Sequence, residues 1–214
     1  MVRPPLLESV LQNVLEHNLY NMGRPATHTT AQFLDAAAAL FAAGGARAVT
    51  MAATAKATGA PNGSIYHRFP DRPALLARLW LRTLRDFQDT FTAALGDATD
   101  VEAAVAAAAS VVHWCRKHPD GARVLDAGKQ AFGPADWSAE AVTALAEAEQ
   151  ELRDVLKRAT LNLPPLTGAT DEEVVLALVE IPRAVVHRYL STGRTPPPKA
   201  ATLVERTVRK LLRP

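Results

Sequence analysis

The chain has 214 residues, 48 % of them apolar and 21 % charged, a composition that excludes a disordered or fibrous protein and suits one domain with a sizeable core or a small module joined to a larger one. Its single cysteine, Cys115, excludes an intramolecular disulfide framework, and the longest uncharged run in mid-chain, Ala103 to Cys115, is too short to span a bilayer. The net charge of +2 conceals a polarity, because residues 22–85 carry eight basic side chains against Asp35 and Asp71, a surplus of +6, while residues 86–214 carry −3.

Such polarisation favours a polyanionic partner at the N-terminal end. The opening MVRPPLLESVLQNVLEHNLYN places Glu8 and Glu16 inside its apolar stretch and lacks a small-residue cleavage site, so it does not read as a signal peptide. An intracellular, cytoplasmic protein with no membrane association is expected.

Strict alternation of β-branched residues is absent and spacings of three and four recur, so the fold reads as all-α. Residues 1–21 read either as an extra helix or as an upstream extension before the basic arm that starts near MGRP. The first firm helix covers about 29–43, with Phe33, Ala37, Leu40 and Phe41 on one stripe and Gly44 and Gly45 ending it. Thr50 is an N-cap for a short second helix to Thr58, and Gly59 supplies a turn. A third helix opens near Pro61 and runs to Phe69. Asp71 caps a long fourth helix closed by Gly96. Further helices are expected from Asp100 to Lys117, from Pro119 to about Gln130, from Ser138 to about Thr160, from Thr170 to Leu190 and over 199–212. The segment Phe132 to Trp137 reads as a loop. Pro182 should kink its helix, because the Leu178 carbonyl loses its donor.

Within the third helix Ile65 and Phe69 lie one turn apart and form the inward stripe. Gly63 and His67 then point most directly outward, flanked by Ser64 and Tyr66. Two short helices joined by a glycine turn behind a longer supporting helix form the helix-turn-helix pattern. The phrases TAQFLDAAAALFAAGG, TMAATAKATGA and NGSIYHRFPDRPALL follow one another at this spacing. Together they resemble the DNA-binding domain of the TetR family of one-component transcription regulators, over about residues 25–80. The organisation implied is an N-terminal extension over 1–21, a helix-turn-helix domain over 22–72, and a helical ligand-binding and dimerisation domain over 73–214.

The resemblance implies a set of DNA contacts. Thr50 meets a phosphate at a helix N-terminus; Asn62 and Ser64 reach base edges; Gly63 permits close approach. Tyr66 and His67 touch the backbone or a base edge, although Tyr66 also reads as half-buried packing and His67 as a solvated residue. Arg72 grips a phosphate, and Arg24 and His28 lie on an arm that reaches the neighbouring groove or backbone. Three positions depart from the family pattern: Pro61 removes a side-chain cap, Asn62 stands where a basic residue is common, and Thr54 replaces an aliphatic residue. Arg78, Arg82 and Arg85 recur on one face of the fourth helix and read as a solvated or dimer-facing stripe.

For the remainder, the resemblance implies a small-molecule effector and a homodimer formed through residues 170–190 and 199–212, whose apolar stripes look broader than one core requires. Phe87, Phe91, His113, Trp114, Phe132, Trp137 and His187 are the pocket candidates by type and placement. No cofactor or metal is expected, since His113 and His118 do not share a helix face. The implied mechanism is linkage: a ligand favouring wrongly spaced recognition helices weakens DNA binding. No Gly-x-Ser-x-Gly elbow, phosphate-cradling glycine loop or His-Glu-x-x-His motif is present, so an enzyme is not expected. A helical scaffold without specific DNA binding is the alternative reading.

Overall fold

The computed structural model describes residues 28–213, so the leading segment 1–21 and Arg24 lie outside the described residues. Every regular element among these residues is helical. The order is α1 Thr30–Ala48, α2 Met51–Ala57, α3 Asn62–Tyr66, α4 Arg72–Leu95, α5 Val101–Lys117, α6 Pro119–Asp126, α7 Ala139–Asn162, a single turn α8 Pro164–Thr167, α9 Asp171–Val175, α10 Ile181–Leu190 and α11 Pro198–Leu212.

Local chemistry sets most of the helix starts. Thr29 and Gln32 form a reciprocal capping box at α1, and Thr170 and Glu173 form another at α9. Thr50, Asp71, Asp100 and Ser138 each accept a first-turn amide of α2, α4, α5 and α7. At the other end of α1 the backbone leaves helical geometry at Gly44 and Gly45, the latter at φ +66°, and a last turn then carries the chain to Ala48.

Several elements differ from their expected extents. Helix α3 is shorter than 61–69, because the amides of Arg68 and Phe69 both turn onto the Ile65 carbonyl and Pro70 forbids continuation. Helix α6 stops at Asp126, ahead of Gly128 at φ +74°. Beyond it Lys129–Phe132 and Pro134–Asp136 form 3₁₀ turns rather than an open loop. The expected kink at Pro182 takes the form of a π-helical turn over Leu176–Glu180, with the Ile181 amide bonded to the Leu176 carbonyl five residues back. Widening the helix ahead of a residue that has no N–H is one way to accommodate the missing donor.

Two apolar cores result. The first gathers Phe33, Phe41, Ile65, Phe69, Leu75, Leu79 and Trp80, and is closed by Val124, Phe132, Trp137 and Leu145 from much later in the chain. The second gathers Phe91, Leu95, Val112, Trp114, Leu178, Val186, Val204, Val208 and Leu212. On α5, Ala104, Ala107 and Ala108 are wholly buried, and side chains this small let neighbouring helices come close. Helix α4 belongs to both cores, so a division between residues 72 and 73 passes through continuous packing. Arg82 also ties α4 to α1, donating to Asp35 Oδ1 at 2.7 Å and to the Ala31 carbonyl at 3.2 Å. No described helix is long and apolar enough to cross a membrane.

Candidate nucleic-acid interface and effector cavity

Helix α3 is pinned by two apolar side chains and two arginines. Ile65 and Phe69 are fully buried, Phe69 meeting Phe33 edge to face at 6.4 Å. Arg68 donates through Nε and Nη2 to the His28 carbonyl at 3.2 and 2.7 Å, fixing the chain just ahead of α1 beside the end of α3. Arg72 donates through Nε to the Val49 carbonyl at 2.7 Å and through Nη2 to the Ala46 carbonyl at 2.6 Å. The guanidinium expected to grip a phosphate is therefore engaged with the link between α1 and α2, its planar fork reaching the Val49 carbonyl and the Ala46 carbonyl, which also accepts the Val49 amide at the end of α1.

What α3 presents outward is polar and open. Asn62, Gly63, Tyr66 and His67 are exposed, Tyr66 at 56 %. Ser64 turns its hydroxyl back onto the Pro61 carbonyl at 2.8 Å, which leaves its oxygen lone pairs free to accept. Pro61 supplies no side-chain cap, as its chemistry requires. At the start of α2 the Thr50 oxygen accepts the Ala53 amide at 3.0 Å, so its hydroxyl proton remains available to an acceptor. Lys56, counted in the sequence only as charge, lines a shallow depression with Ala52, Ala53 and Asn62 between α2 and α3.

A Cβ built on Gly63 meets nothing within 4 Å, and its φ is not positive. Neither space nor backbone conformation inside the protein demands a glycine there. Glycine is otherwise unfavourable in a helix.

Residues 33–79 match the sequence pattern of bacterial regulatory proteins of the tetR family. The N-terminal domain is that of the TetR family. Solved structures share the fold across most of the chain. The fatty acid degradation regulator FadR from Bacillus halodurans aligns at 21 % identity and a TM-score of 0.62, covering 86 % of this chain and 97 % of its own. A TetR family transcription regulator from Marinobacter aquaeolei VT8 aligns at 16 % and 0.64, covering 85 % and 93 %. The TetR family transcriptional regulator PfmR from Thermus thermophilus aligns at 22 % and 0.60, covering 87 % and 96 %. No match emerges among curated protein sequences. The TetR domain makes this a DNA-binding transcriptional regulator.

Behind the TetR domain, α4, α5, α6, α7 and α10 line an open-sided cavity of about 490 Å³, a size suited to a small molecule. Phe87, Phe91, Trp114 and His187 line it, together with Leu152, Leu156, Leu178, Asp126 and Arg183, which sequence reading did not single out. His187 Nδ1 and Asp126 Oδ1 lie 2.8 Å apart, joining α10 to α6 at its edge. Cys115 also faces it. Burial, and secondarily the charge of Asp126, push that thiol up to about 12, so it stays protonated and unreactive.

Three pocket candidates are elsewhere. His113 is exposed on the opposite side of α5 from its buried neighbours. Phe132 stacks on Phe41 at 4.6 Å and packs against Trp80 at 5.2 Å, and Trp137 donates its indole N–H to the Phe132 carbonyl at 2.9 Å. The 3₁₀ turns after α6 fold both rings into the first core instead of across the cavity.

Proposed function

We propose that the protein binds a palindromic operator as a homodimer and represses until a small molecule filling the cavity releases it. The exposed edge of α3, seated on buried Ile65 and Phe69 and tied at its end to His28 by Arg68, is the observation that carries this reading. Asn62 and Ser64 reach bases, Thr50, Tyr66 and His67 meet the backbone, and Arg24 and His28 extend the contact from the arm. The working domains are 1–21, 22–72 and 73–214. Dimerisation uses the faces of 170–190 and 199–212. Much of the α11 stripe, Val204, Val208 and Leu212, is consumed within the protomer, so Val175, Leu176 and Leu203 are the apolar residues left outward.

Release works through linkage: a ligand that favours the wrong spacing of two recognition helices lowers DNA affinity by the same factor. Helix α6 is the connecting part, with Ala122, Leu125 and Asp126 on the cavity and Val124 in the first core. Selection of bound duplexes from a random pool, repeated at two salt concentrations, tests the reading. A palindrome with half-sites about 34 to 36 Å apart or a multiple of this, bound more weakly as salt rises, is expected. Weak binding without sequence preference would overturn it in favour of a scaffold.

A further inference from the structure

We propose that the cavity takes an organic cation with an apolar body, its charge seated at Asp126 and its body among Phe87, Phe91 and Trp114, an assignment that rests on the effector reading above. The walls settle the body first. They are built from aromatic and aliphatic side chains of α4, α5, α7 and the π turn, and the only buried side-chain atoms without a hydrogen-bond partner among the described residues, Thr54 Oγ1 and Trp80 Nε1, belong to the first core. Nothing in the cavity wall calls for a polar group in the ligand's interior part.

The sign of the head group follows from the charges at one end. Asp126, Glu180, Arg183 and His187 are the ionisable side chains there besides the protonated Cys115 thiol. Glu180 and Arg183, both exposed, carry opposite charges that cancel in the net charge of the lining. Asp126 uses Oδ1 toward His187, and its Oδ2 has no hydrogen-bond partner among the described residues. Asp126 also stands near enough to Cys115 to add, after burial, to the rise of its thiol pKa. The C-terminal end of α6, at Asp126, adds partial negative charge on the same side. Facing this field are three rings, with Phe87 edge-on to Trp114 at 5.4 Å and stacked with Phe91 at 6.3 Å. These rings receive the apolar body. A carboxylate head would meet Asp126 instead.

Decyltrimethylammonium, decanoate and decanol share a tail and differ only in the head, so calorimetric titration of each into the full chain at pH 7 separates body from charge. The ammonium should bind about tenfold more tightly than either of the others. Asp126→Asn should remove that advantage while leaving decanol within about twofold, and His187→Gln, which keeps the carboxylate, should preserve it. Decanoate binding as tightly as the ammonium, or an ammonium affinity unmoved by Asp126→Asn, would overturn the cation assignment. The ranking on the unaltered chain stands even if a variant fails to fold. Equal binding of all three removes the cation and keeps an effector cavity, whereas binding of none removes the effector reading itself.

Discussion

Replacing Gly63 by alanine separates what the fold wants from what the partner wants. The added methyl meets no atom within 4 Å and the backbone needs no positive φ, so the folded chain gains the helical advantage of alanine over glycine, about 0.5–1 kcal/mol. In a chain of this length that raises Tm by roughly 1–4 °C. The same methyl stands on the outward edge of α3, between exposed Asn62 and Tyr66. Pressed into a close protein–DNA contact, it meets the cost of overpacking, about 1–3 kcal/mol, or roughly 5- to 150-fold in Kd. Calorimetric melting and fluorescence anisotropy with the selected duplex read the two effects separately. A variant that is more stable and binds more weakly is expected. An unchanged Kd would show that DNA does not approach α3 at this residue, and a lowered Tm would refute the structural half of the reasoning.

Thr54 is wholly buried in α2 with no partner for its hydroxyl, so Thr54→Val, nearly the same shape, should stabilise by about 1–3 kcal/mol in urea unfolding. Arg72→Gln gives up the fork onto Ala46 and Val49; a loss of about 2–3 kcal/mol in the same assay is expected, and a fully stable variant would mean that the arginine is kept only for DNA. Glu102, on α5, is held below its ordinary value of 4.5, chiefly by the hydrogen bond from Arg209 and next, against the opposing effect of burial, by the charge of Arg209 and by Arg213. A depressed carboxylate adds stability that is present above its unfolded pKa and disappears as pH falls through the folded one. Melting curves of Glu102→Gln should therefore lie below those of the parent at pH 7 and converge with them below 4.5, and the gap should shrink in high salt because the pair is exposed.

The starts of α1, α2, α4, α5, α7 and α9 were legible because each is written within four residues: a Thr, Asp or Ser whose oxygen takes a first-turn amide needs no knowledge of the rest of the chain. The outward edge of α3 was legible for the same reason, since Ile65 and Phe69 fix its orientation locally. Interactions across long sequence separations were not. The carbonyls that hold Arg72 lie 23 and 26 residues away, and Asp126 finds His187 across 61 residues. Aromatic type could not tell Phe132 and Trp137 from Phe87 and Phe91, because all four are core-forming residues and only the turns after α6 decide which core receives them. An apolar stripe such as that of α11 likewise records that a partner surface exists, without recording whether it belongs to the same protomer.

Helix α6 is eight residues long, yet Val124 is buried in the first core, Ala122 in the second, and Leu125 packs against both. So short a segment cannot leave one core while remaining seated in the other. Its amides should consequently exchange with solvent only through openings that expose both cores, and the chain should melt in a single transition although its architecture has two parts. A fragment cut after residue 72 would lack Val124, Phe132, Trp137 and Leu145 along with most of α4, and would be expected to lose the packing that gives α3 its footing.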